Sequence, residues 1–85
     1  MKRIAVICVI LEEPDLSQQQ FNEIVSASKT MVRGRLGIPF EKEGIGVIAL
    51  TVIGELDEIN TLTGKLGNIP YVQVKTAISK KEVEL

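Results

Sequence analysis

"TGKLGNIPYVQVKT", residues 63–76, admits two readings, and the fold turns on the choice between them. As a phosphate loop, its Gly64-Lys65 pair would follow a strand and open a helix. As punctuation, the stretch closes a helix and leads into a strand. A phosphate loop requires a glycine five positions before the Gly-Lys pair and a Ser or Thr directly after the lysine. Ile59 and Leu66 occupy those positions. Ile59, Leu62, Thr63 and Leu66 also form a stripe at helical spacing, so the pair lies at the negative end of a helix, where a phosphate is disfavoured. The punctuation reading wins. Gly67 then reads as a left-handed C-cap, Lys65 as a cation in the last turn, and Pro70 as the residue that prevents continuation.

Gly64 is the unexplained member. Inside a helix it costs about 1 kcal/mol relative to alanine, and it points away from the stripe. Either the helix loosens one turn early, or another backbone or a ligand approaches there.

Working outward, the helix spans Glu55 to Gly67 and is followed by "YVQVKTAI", residues 71–78, in which Val72, Val74 and Thr76 alternate with Tyr71, Gln73 and Lys75. That is a strand, β4, with one more polar face. Upstream, "IGVIALTVI" (45–53) is apolar at odd and even positions alike, as a central strand β3 covered on both sides would be. "VRGRLGIPF" (32–40) mixes two glycines with Pro39, which suits an edge strand, β2, joined to β3 by the loop "EKEG". The opening run "IAVICVIL" (4–11) reads as β1, again apolar on both sides. Between β1 and β2, Ser17, Phe21, Ile24, Val25, Ser28 and Val32 recur on one side at helical spacing. The first helix is expected to start at Asp15 as N-cap, with Gln18 three positions on, and to end between Met31 and Gly34. The tail "SKKEVEL" reads as a frayed, solvated end.

The order β-α-β-β-α-β predicts an α+β, ferredoxin-like fold in a single domain, residues 1–85, with a four-stranded antiparallel sheet in order 4-1-3-2 and both helices on one face. That geometry has a consequence for β1. Helices can cover Ala5, Ile7, Val9 and Leu11 or the alternate set Ile4, Val6, Cys8 and Ile10, but not both. An uncovered apolar face of this extent marks an interface. A homo-oligomer, dimer or tetramer, is expected, with Ile4, Val6, Cys8, Tyr71, Gln73 and Lys75 at the subunit contact.

Composition narrows the chemistry. A chain of 85 residues buries about 60–65% of its unfolded surface, so its stability margin is small without help such as association. Ten basic against eleven acidic residues give a net charge of −1, which does not favour nucleic acid. There is no histidine and one cysteine, so the commonest general base and the usual Cys/His metal sets are missing, and no metal site or cofactor is expected. Cys8 reads as a small buried hydrophobe, with redox or metal chemistry as its alternative. The aliphatic β1 and β3 lack the stacking aromatics of RNA-binding modules with this topology, and no residues remain for a DNA-reading segment. Lys2 and Arg3 before an apolar run imitate a signal peptide, but the run stops at Glu12-Glu13-Pro14 without a cleavage site and is too short to cross a bilayer. A cytoplasmic protein without a membrane partner is the expectation. No nucleophile and base stand together; Lys65, Lys75 and scattered carboxylates are the only catalytic candidates, so no catalytic residue is assigned. Glu12, Glu13 and Asp15 could bind a cation or an amino group, or serve only helix capping and a solvated turn.

Thr63 to Gly67, Ile69, Val72 and Val74 to Thr76, together with Arg35-Leu36-Gly37-Ile38-Pro39, resemble the small proteins known as iron-only hydrogenase system regulators. Their C-terminal half carries a similar Ser/Thr-Gly-Lys-Leu-Gly, an Ile and a Val-x-Val-Lys-Thr strand, and the likeness spans about residues 4–78. The resemblance implies an ACT-like ferredoxin fold, similar to the ligand-sensing C-terminal domain of the nickel-responsive repressor, and an oligomeric regulatory role. Nickel does not carry over, because that metal is held by histidines and a cysteine. Amino-acid-binding ACT domains often place a glycine after β1, where this chain has Glu12-Glu13-Pro14-Asp15. The resulting expectation is a non-catalytic regulatory domain that senses a small ligand at a subunit interface, near Glu12, Asp15, Gly64 and Lys65, and acts through a regulatory protein partner. The alternative is a structural accessory or assembly protein with no ligand.

Overall fold

The computed structural model describes residues 1–85. The elements follow as β1 (Arg3–Leu11), α1 (Pro14–Ala27), β2 (Val32–Phe40), β3 (Ile45–Gly54), α2 (Leu56–Gly67) and β4 (Val72–Ile78). All strand pairs are antiparallel and form one open sheet in the order β2-β3-β1-β4, consistent with a ferredoxin-like α+β fold. β1 pairs along its whole length with β3, from Arg3 opposite Gly54 to Leu11 opposite Gly46. No helix is long and apolar enough to cross a membrane.

The period-two geometry of a strand decides which half of each apolar run is buried. In β1, Ala5, Ile7, Val9 and Leu11 are at most 2% exposed, whereas Ile4, Val6 and Ile10 are 36–38% exposed. The first set joins Ile48, Leu50 and Val52 of β3, Phe21 and Val25 of α1, and Ile59, Leu62 and Leu66 of α2 in one cluster. Full burial of side chains of this size stabilises by about 1.5–3 kcal/mol each, which explains why the elements converge on that one face. Continuous apolarity in β1 and β3 therefore does not mean cover on both faces. The second face stays open.

Four local expectations need correction. The N-cap of α1 lies two residues earlier than expected, at Glu13 rather than Asp15, with Pro14 in the first turn. Proline is pre-set for that place, since its missing N–H is one of those the first turn leaves unpaired anyway. Asp15 thus lies within the first turn and makes no cap. α1 also stops at Ala27, because Val32 already pairs with Val52 in the sheet. Gly67 is the last residue of α2 and the cap is Asn68 in a right-handed conformation; the left-handed residues are Gly44 and Tyr71 (φ 65°). The Asn68 N–H reaches the Gly64 carbonyl at 3.1 Å, so the last turn is closed without a glycine flip. Finally, the tail is tied down rather than frayed. Ser79 Oγ accepts the Ile4 N–H at 3.0 Å, Val83 and Lys2 exchange two backbone bonds, and Arg3 pairs with Glu82 at 3.5 Å.

α2 starts at Glu55 as N-cap, whose backbone N–H donates to Glu58 Oε1 at 2.9 Å. The helix is regular through Gly64, so the early loosening considered for that residue does not occur.

Candidate functional site

The open sheet face is assembled by strand register. Directly paired residues on antiparallel strands project to the same side, so the pairings define transverse rows. One row reads Leu36, Ala49, Cys8, Lys75, and the next Ile38, Val47, Ile10, Gln73. Thr51, Val6 and Ala77 form a third, and Ile53 with Ile4 a fourth. Exposure is graded across these rows: Leu36 is 64% exposed, Ile38 47% and Ile10 38%. Towards β4 the first two rows end in the polar Lys75 and Gln73 and the third in the small Ala77, and Gln73 Nε2 donates to Glu12 Oε1 there. The face thus has an apolar half over β2, β3 and β1 and a polar flank along β4.

Of the residues expected at a subunit contact, Ile4, Val6, Cys8, Gln73 and Lys75 share this face. Cys8 is a free, exposed thiol near its centre rather than a buried hydrophobe, because it belongs to the half of β1 that the helices leave uncovered. Tyr71 is exposed at the start of β4, and its carbonyl accepts the Glu12 N–H at 2.8 Å. Leu36, Ile38 and Phe40 were not identified from the sequence as belonging to this face. Their alternation along "LGIPF" was the available signal, but the register against β3 that aligns them with Ala49, Val47 and Ile45 is a tertiary fact.

The four residues expected to bind a ligand are dispersed. Glu12 faces Gln73 at the β4 flank. Asp15 lines a cleft of about 620 Å³ between the first turns of α1 and the β2–β3 hairpin, with Leu11, Gln18, Arg35, Gly37 and Gly46 among its walls. Lys65 borders a different hollow, with Ala27, Thr30, Asp57 and Glu58. Gly64 has open space where a Cβ would stand. In the cleft, the Arg35 guanidinium lies 5.3 Å from the Phe21 ring centroid and donates to Asn22 Oδ1 at 2.8 Å, so internal contacts engage it. No group of three or more Cys, Asp or Glu side chains is placed to share a metal ion.

These features can be set beside known proteins. A family profile matches residues 3–76, and its description is "TM1266-like: Iron-only hydrogenase system regulator, putative". The chain belongs to this family. Among solved structures, the protein TM1266 of Thermotoga maritima is 31% identical, with a TM-score of 0.89 over 94% of this chain and all of that one. A second structure is LarC2, the C-terminal domain of a cyclometallase involved in synthesis of the NPN cofactor of lactate racemase, in its apo form. It is 15% identical, with a TM-score of 0.49 over 94% of this chain and 58% of that one, a likeness that bears on neither fold nor function here. No curated protein sequence matches significantly.

Proposed function

We propose that this member of the TM1266-like family is a non-catalytic, ACT-like regulatory domain of an iron-only hydrogenase system. It works in the cytoplasm as a homo-oligomer and passes a change of assembly or shape to a protein partner. The observation that carries the reading is the family match over residues 3–76, joined to an open sheet face with large exposed aliphatic side chains. Monomeric proteins rarely leave a contiguous apolar patch larger than a few hundred Å² uncovered. The function is tested by deleting the gene in its own host and measuring hydrogenase transcripts and activity. Regulation requires a change in one or both, and unchanged levels under hydrogenase-inducing conditions reject it.

Ligand sensing is proposed at a subunit interface, near Glu12 and Asp15 in the β1–α1 loop or near Gly64 and Lys65 on α2. The second reading is a structural accessory protein that binds no small molecule. A thermal-shift screen of amino acids, nucleotides and metal ions separates the two. A ligand that binds only the folded state at 100 times its dissociation constant adds about 2.7 kcal/mol. A screen without a shift at millimolar concentration selects the structural reading.

A further inference from the structure

The open face raises the question of what covers it, and its size, polarity and symmetry all bear on the answer. With strands ~4.8 Å apart and a rise of ~3.3 Å per residue, the three strands of the apolar half present about 14 by 30 Å, roughly 430 Å² in projection, and the β4 flank adds a polar rim. Side chains standing on core and rim raise the accessible surface towards the ~800 Å² that each partner contributes to a standard interface. The apolar half with its rim is therefore large enough to hold a dimer. Its polarity restricts the partner. The transverse rows carry one charge, Lys75, at the β4 flank, while Leu36, Ile38, Val6 and Ile10 form the uncovered apolar part. Nucleic acid and anionic surfaces are bound through clustered Lys and Arg, which this half lacks. The gradient is also self-complementary. Two copies related by a two-fold axis place apolar half on apolar half and turn both polar flanks outward.

We infer that a second copy of this chain packs sheet against sheet on the β2–β3–β1 half of the open face, with Leu36, Ile38, Ile10 and Cys8 beneath it. The inference rests on the oligomeric reading above and names its surface and occupant. It moves the contact away from the β4 flank, so Gln73 and Lys75 lie at its rim. Aligned sheets pack about 10 Å apart, close enough for side chains of both to interdigitate and exclude water. Cys8, the single cysteine of the chain, becomes inaccessible in this arrangement.

That thiol supplies the test. Wild-type protein, Leu36→Lys and Ile38→Lys are compared by light scattering at micromolar concentration and by the rate of Cys8 reaction with a chromogenic disulfide reagent. Both substituted side chains are largely exposed, folding of the variants is checked by circular dichroism, and wild-type labelling against the urea-unfolded chain needs no variant. The wild type is expected to have the mass of a dimer or a multiple of it, with Cys8 reacting slower by on the order of tenfold or more than in the unfolded chain. Either lysine substitution is expected to yield monomer with a reactive Cys8. An assembled wild type whose Cys8 reacts as fast as the unfolded thiol overturns the inference while leaving the oligomeric reading intact, because the contact then lies elsewhere, as in edge-to-edge pairing. Lysine variants that stay assembled with Cys8 protected overturn it as well. A monodisperse wild-type monomer overturns both readings.

Discussion

At the scale of single residues, two backbone positions carry information that side-chain patterns do not. Gly64 lies inside α2 with nothing within 4 Å of a built Cβ, so neither core packing nor a neighbouring segment of this chain requires glycine. Gly64→Ala is accordingly expected to stabilise the protein by about 1 kcal/mol, through helix propensity and a less flexible unfolded chain. In a domain of this size that raises the melting temperature by roughly 4–8 °C. A Gly64→Ala protein that melts no higher than wild type would mean that something outside this chain occupies the space. Tyr71 is the converse case: it holds φ at 65°, a region uncommon for residues other than glycine, asparagine and aspartate. Tyr71→Gly should raise stability by about 0.5–1 kcal/mol, whereas Tyr71→Val, β-branched in a left-handed position, should lower it by about 1–2 kcal/mol. Urea unfolding of the two variants checks the sign in each case.

At the scale of elements, α1 and the C-terminal tail depend on contacts that their own sequences barely announce. α1 is anchored by Phe21, fully buried, with Arg35 of β2 stacked over the ring. Phe21→Ala should cost about 3–5 kcal/mol, a large share of the total for a small domain, and Arg35→Ala about 0.5–1 kcal/mol. Equal costs in calorimetry would show that the stacking, rather than core burial, holds the helix. The tail returns to β1 through Ser79 and Val83. Ser79→Ala removes the acceptor of the Ile4 N–H and should cost about 1 kcal/mol. Amide hydrogen exchange at Ile4 should accelerate, while Ile7 in the middle of the strand keeps its protection; unchanged exchange at Ile4 would refute the bond's role.

At the scale of the whole molecule, the uncovered sheet face dominates. The core holds 14 buried hydrophobic residues on one side of the sheet, while the opposite side offers aliphatic surface to solvent. If a second copy covers that surface, folding and association are linked, and the melting temperature must rise with protein concentration. Dilution from high to low micromolar concentration should therefore lower it. A melting temperature independent of concentration would show that the face contributes no such linkage. The predicted contact is mainly apolar, so this concentration dependence should persist when salt is raised, unlike one built on surface ion pairs.

Period and punctuation are local signals, so the type and order of the elements can be read from the chain alone. Ile59, Leu62 and Leu66 mark one face of α2 at helical spacing, Pro70 ends the segment, and "YVQVKTAI" alternates as a strand does. The same locality sets the limits. Glu13 and Asp15, two residues apart, compete for the N-cap of α1, and the charged tail gives no sign that Ser79 will complete the hydrogen bonding of β1. In "IAVICVIL" both halves of the strand are equally apolar, so no local rule distinguishes Ile7, which is fully buried, from Ile10, which is not. That difference arises only when the helices pack on the sheet. Two short helices have only enough apolar surface to cover one side of the sheet, and the register of β2 against β3 then aligns Leu36 and Ile38 with Cys8 and Ile10 on the side left open.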